Sequence, residues 1–116
     1  MNRPRIAVID HTGRLISLVH HLERWCDVEF FDRPSEAMLA YSGVIAHPSA
    51  RDVAALLLVH RADRSIPFVF PTSDLKELTH EGPAITRDED GAYIIDGSDA
   101  EMDARIREIL RAHNRL

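Results

Sequence analysis

The chain has 116 residues and a mass of 13.1 kDa, enough for one domain with one core and too few for a second. A formal charge of -5 excludes broad nucleic-acid binding, which needs a basic surface to neutralise phosphates, and 45% hydrophobic content excludes wholesale disorder. The single cysteine, Cys26, rules out an internal disulfide and a paired thiolate metal motif.

Four short apolar runs organise the chain: Ile6 to Ile9, Val44 to Ala46, Phe68 to Phe70 and Tyr93 to Ile95. Each ends abruptly in a polar residue or a proline, and helical patterns follow the first two. They read as parallel strands buried on both faces.

In chain order, the first strand covers Arg5 to Asp10. Thr12 is placed to cap a helix whose apolar face is Leu15, Leu18, Val19 and Leu22. Cys26 follows Trp25 at the end of that pattern, where a buried spectator is expected. Val28 and Phe30 alternate with Asp27 and Glu29, which predicts a half-exposed edge strand from Asp27 to Phe31. Pro34 suits the first turn of a short helix running to Tyr41. Gly43 breaks that helix, and the third strand runs to His47. The Ser49 to Asp52 segment resembles a capping box for a helix through Ala62 that carries Val53, Leu56, Leu57 and Val59.

Ser65 and Pro67 introduce the fourth strand, which Pro71 stops. Residues from Thr79 to Ala92 are irregular: either a long loop leads to the last strand, or Ala84 to Arg87 pairs with Tyr93 to Asp96 as a hairpin. A last helix carries Met102, Ile106, Ile109 and Leu110 between arginines and ends near His113. The expectation is one α/β domain over residues 1–116, doubly wound, with a five-stranded parallel sheet. No leader is expected before the first strand. The longest apolar run, Val53 to Val59, falls far short of the roughly 20 residues of a membrane helix. A cytoplasmic protein without membrane contact is expected.

In open sheets of this kind, chemistry sits past the carboxyl ends of the strands. Those ends read Asp10-His11, His47, Thr72 and Asp96. Five strands alternating with helices in this length resembles the receiver domain of bacterial two-component response regulators, over nearly the whole chain, and the resemblance implies a strand order of 2-1-3-4-5. The resemblance places Asp10 and His11 where receivers carry paired acidic residues, and His47 where they carry the phosphoacceptor aspartate. Thr72 falls on the position of their Ser/Thr, Asp96 on that of their lysine, and Tyr93 on that of the aromatic residue that moves with the Ser/Thr.

The departures outweigh the agreements. A histidine replaces the nucleophilic carboxylate, another replaces half of the acidic pair, and Asp96 reverses the charge of the lysine; no lysine follows Lys76. Magnesium prefers hard oxygen ligands, so losing two carboxylates weakens it. The expected molecule is therefore a pseudo-receiver: a non-catalytic signalling module that binds a protein partner or a fused output domain, with no cofactor and no metal.

Two alternatives belong to other classes. His11, just after the first strand, resembles the acceptor of mannose-type IIA phosphocarriers. The pocket near Asp10, His47 and Thr72 could instead hold a small molecule, or a transition metal on Asp10, His11 and His47. The plainer reading of those histidines is hydrogen bonding to Asp10 and Thr72. His20 and His21 sit within the first helix, one exposed and one on its rim, and His60, His80 and His113 lie on predicted surfaces or helix ends. Acidic residues from Asp88 to Asp103 read first as a solvated loop and helix N-terminus. The resemblance also points to a docking face formed by the fourth helix, fifth strand and fifth helix, with Asp99, Arg105, Arg107 and Arg111 available for charge-paired homodimerisation.

Overall fold

Five parallel strands carry the fold: β1 (Arg5–Asp10), β2 (Asp27–Phe30), β3 (Gly43–His47), β4 (Phe68–Pro71) and β5 (Ala92–Ile95), in the order β2-β1-β3-β4-β5. The computed structural model describes residues 3–11, 13–47, 50–71 and 92–115. Three α-helices flank the sheet: α1 (Ile16–Leu22), α2 (Ala50–Ala62) and α3 (Asp99–Ala112). Thr12, the proposed Ser49–Asp52 cap, Thr72, Lys76, His80 and the acidic residues 88–90 lie outside the described residues, as does the choice between loop and hairpin before β5.

Strand alternation divides the core into two layers. Ala7, Ile9, Val44, Ala46, Phe68, Phe70, Ala92 and Ile94 face one side, covered by Leu56 of α2 together with Met38, Tyr41 and Ile66. Ile6, Val8, Ile45, Val69 and Ile95 face the other, against Leu15, Leu18, Val19 and Leu22 around α1 and Ile106, Ile109 and Leu110 of α3. Fully burying such a side chain contributes about 1.5–3 kcal/mol relative to leaving it in water. Gly43 lets β3 start beneath α3, because a Cβ there would stand 3.0 Å from Leu110 Cδ2.

Three local expectations are corrected. The helix after β1 starts at Ile16, with Leu15 as N-cap and no side-chain cap. Gly13, at φ +74°, turns the chain first, and only then does the helix begin. The segment after Pro34 is a 3₁₀ helix, Glu36–Ala40, capped by the Ser35 hydroxyl accepting from the Ala37 amide. His60 is not on the surface: it is 3% exposed and its ring stacks tilted on Phe68, centroids 4.9 Å apart. The aliphatic pattern of α2 drew the core to Leu56, and His60, four residues on, shares that face.

Candidate functional site

The carboxyl ends of the strands form one crevice. Asp10 closes β1 and pairs in register with His47, the last residue of β3. Asp10 Oδ2 accepts a hydrogen bond from the Leu15 amide at 3.0 Å, so its carboxylate anchors the entry to α1. His47 is half-buried, and its Nδ1 is shielded from solvent with no hydrogen-bond partner among the described residues.

Between β1, β3, β4 and β5 lies a cavity of about 140 Å³, lined by His47, Arg14, Pro71, Asp96, Gly97 and Met102, with Leu15 behind. Asp96 follows β5 directly and is exposed; Gly97, at φ +120°, turns the chain into α3. Ser98 then caps α3 by a capping box with Glu101, which fixes where Asp96 and Gly97 stand. The crevice thus brings His47 and Asp96 together, while Asp10 is the register partner of His47 and is not among the residues that line the cavity. His11 is exposed beyond β1. Among the described residues no group of three His, Cys, Asp or Glu is arranged to hold a metal ion.

Sequence reasoning assigned no cation to this end of the sheet, and that is corrected here. Arg14 lines the cavity from the turn after β1. Its signal was its place four residues beyond Asp10, where Gly13 reverses the chain toward the sheet.

The other residues of interest lie away from the crevice. Tyr93 of β5 sits on the α3 side of the sheet, its hydroxyl 2.8 Å from His113 Nε2. On α3, Arg105 pairs with Glu108 at 3.4 Å. Arg107 packs over the Trp25 ring at 4.9 Å and pairs with Asp103 at 3.9 Å, while Trp25 Nε1 donates to Asp103 Oδ1 at 2.7 Å. Arg107 thus joins α3 to the end of α1, whereas Arg111 is exposed and Asp99 half-buried. His20 is exposed and His21 half-buried, as the helical spacing predicted.

This sheet order and these helix positions have a solved counterpart. The signal receiver domain of an HD domain-containing protein from Pseudomonas fluorescens Pf-5 superposes with a TM-score of 0.69, covering 98% of this chain and 91% of that one, at 20% identity. The chain has a receiver-like fold. At that identity the likeness is one of fold. No protein-family model matches the sequence, and no curated protein matches it either. The five-stranded sheet of order 2-1-3-4-5 that the resemblance implied is the sheet observed. No helix among the described residues is long and apolar enough to cross a membrane.

Proposed function

We propose that the chain is a single receiver-like signalling domain over residues 1–116, a cytoplasmic protein-interaction module that works without aspartyl phosphorylation and is not an enzyme. The observation that carries this reading is His47 at the end of β3, beside Asp10. An imidazole there supplies neither the carboxylate nucleophile of receiver chemistry nor a hard oxygen ligand for magnesium. Two further features support it. The Asp10 carboxylate is engaged by the Leu15 amide, and Asp96 brings negative charge to the cavity wall where receivers place a lysine.

Such a module transmits by population shift: a partner that binds one arrangement of Thr72, Tyr93 and the neighbouring loops better than another biases the protein toward it. The outer surface of α3, with Asp99, Arg105 and Arg111, offers charged contacts to a protein partner or a second copy. Isolated surface ion pairs contribute about 0–1 kcal/mol, so apolar contacts must supply most of the affinity.

The test is exposure to acetyl phosphate with Mg²⁺ and, separately, to phosphoenolpyruvate with the general carrier proteins, followed by intact-mass measurement and peptide mapping. An unmodified protein in both arms is the expected result. A stable phosphoryl adduct on a carboxylate at this end of the sheet overturns the proposal, and an acid-labile label on His11 replaces it with the phosphocarrier reading.

A further inference from the structure

Strand β5 hands over to α3 through Asp96 and Gly97, and that pair has a covalent chemistry of its own. An aspartate followed by glycine is prone to ring closure, because no Cβ hinders the glycine nitrogen as it approaches the aspartate side-chain carbon. The fold imposes the pair. Gly97 adopts φ +120°, which residues with a Cβ rarely take, so the turn into α3 calls for glycine. Asp96 and Gly97 are both exposed, open to water, and both line the crevice.

A base stands beside them. A Cβ built on Gly97 would lie 3.4 Å from Glu101 Cβ and 3.5 Å from Glu101 Oε2. The same carboxylate accepts from the Ser98 amide through Oε1 at 3.3 Å, within the capping box that starts α3. The cap therefore holds Glu101 against the Gly97–Ser98 peptide. The Gly97 nitrogen shares its Cα with that built Cβ, so Oε2 can take the amide proton directly or through one water.

We propose that Asp96–Gly97 is a self-modifying site, where the native fold promotes isomerisation of Asp96 to isoaspartate with Glu101 as base. The Gly97 nitrogen gives its proton to Glu101 and bonds to Asp96 Cγ. The protonated side-chain carboxyl releases its hydroxyl, which takes that proton from Glu101 and leaves as water, closing a succinimide ring. A water molecule then adds at the Asp96 main-chain carbonyl, whose bond to the Gly97 nitrogen breaks, and the nitrogen regains a proton. Water is lost once and regained once, and no electrons change hands. The main chain now runs through Asp96 Cβ, with the freed carboxylate on Cα. The crevice wall thus changes outline while keeping its charge. Isomerisation leaves the mass unchanged, so this proposal stands or falls separately from the phosphorylation test above.

The test is ageing of the full chain at neutral pH, beside a synthetic peptide of residues 92–103 as the unstructured reference. Isoaspartate is counted by methyl transfer from S-adenosylmethionine with an isoaspartyl methyltransferase. Electron-transfer fragmentation places it, separating Asp96 from the other Asp-Gly pair, Asp90–Gly91. Isoaspartate at position 96 is expected to form at least as fast in the native chain as in the peptide. Glu101→Gln keeps a capping side chain and removes the base, so it should slow the reaction at least about threefold, a small share of what a general base can supply. Asp96→Glu, which would have to close a larger and less favoured ring, should abolish the signal at that position. Slower isomerisation in the native chain than in the peptide, an unchanged rate in Glu101→Gln, or a signal that persists in Asp96→Glu overturns the proposal.

Discussion

The fold alters the chemistry of Cys26. It is 1% exposed and its thiol donates to the Leu22 carbonyl at 3.1 Å. Burial pushes the thiol up from 9.0 to about 12, against the pull of Arg3, with Asp103, Asp27 and Glu23 adding to the rise. Between those two values the unfolded chain has lost a proton that the folded chain retains. The contribution is therefore fully present below pH 9.0 and is lost as pH rises toward about 12. Two outcomes are expected. An aromatic disulfide reagent near neutral pH should label the native thiol at least about a hundredfold more slowly than the urea-unfolded one. The urea midpoint should also fall with alkaline pH more steeply than in Cys26→Ala. Rapid native labelling would contradict both. The burial of Cys26 was legible because it closes an amphipathic helix pattern. His60 was not, because a histidine in a last helical turn looks like a surface cation until Phe68 is seen beneath it. Arg14 was missed for a related reason: strand ends can be read from apolar runs, but the path of the turn after β1 depends on Gly13 and on the Asp10–Leu15 hydrogen bond.

Helix α3 has an explicit start signal. The Ser98 hydroxyl accepts from the Glu101 amide at 3.2 Å, and the Glu101 carboxylate accepts from the Ser98 amide at 3.3 Å. Removing the hydroxyl in Ser98→Ala should lower the unfolding free energy by about 1 kcal/mol, read as a lower urea midpoint at unchanged slope. An unchanged midpoint would mean that tertiary packing alone fixes the start of α3. The Ser-x-x-Glu pattern is present in the sequence, where Asp99 and Glu101 read equally well as charges favoured by the helix dipole. The 3₁₀ form of Glu36–Ala40 was harder to read. Five residues between a capping serine and an extended Tyr41 leave no room for the apolar spacing that separates α from 3₁₀ geometry.

For the whole molecule, the parallel strands were readable because buried strands announce themselves as unbroken apolar runs, while their order came with the resemblance to receivers. The crevice followed from that order; its electrostatics did not, since Arg14 arrives from a turn. The same topology predicts a ranking of protection. Amides of β1, β3 and β4, each hydrogen-bonded to strands on both sides, should exchange slowest, and those of the edge strand β2 faster. Equal protection in β1 and β2 would argue that the sheet opens only as one unit. The character of that edge has its own consequence. Strand β2 shows exposed Asp27 and Glu29, paired with Arg3 at 3.3 Å and with Arg5 at 3.5 Å, and Glu29 also accepts from the Tyr41 hydroxyl. A stray chain seeking to extend the ladder there would have to dehydrate these fixed charges before gaining a single backbone bond. These charges oppose edge-to-edge pairing on a strand that also exposes the Phe30 ring, 59% accessible.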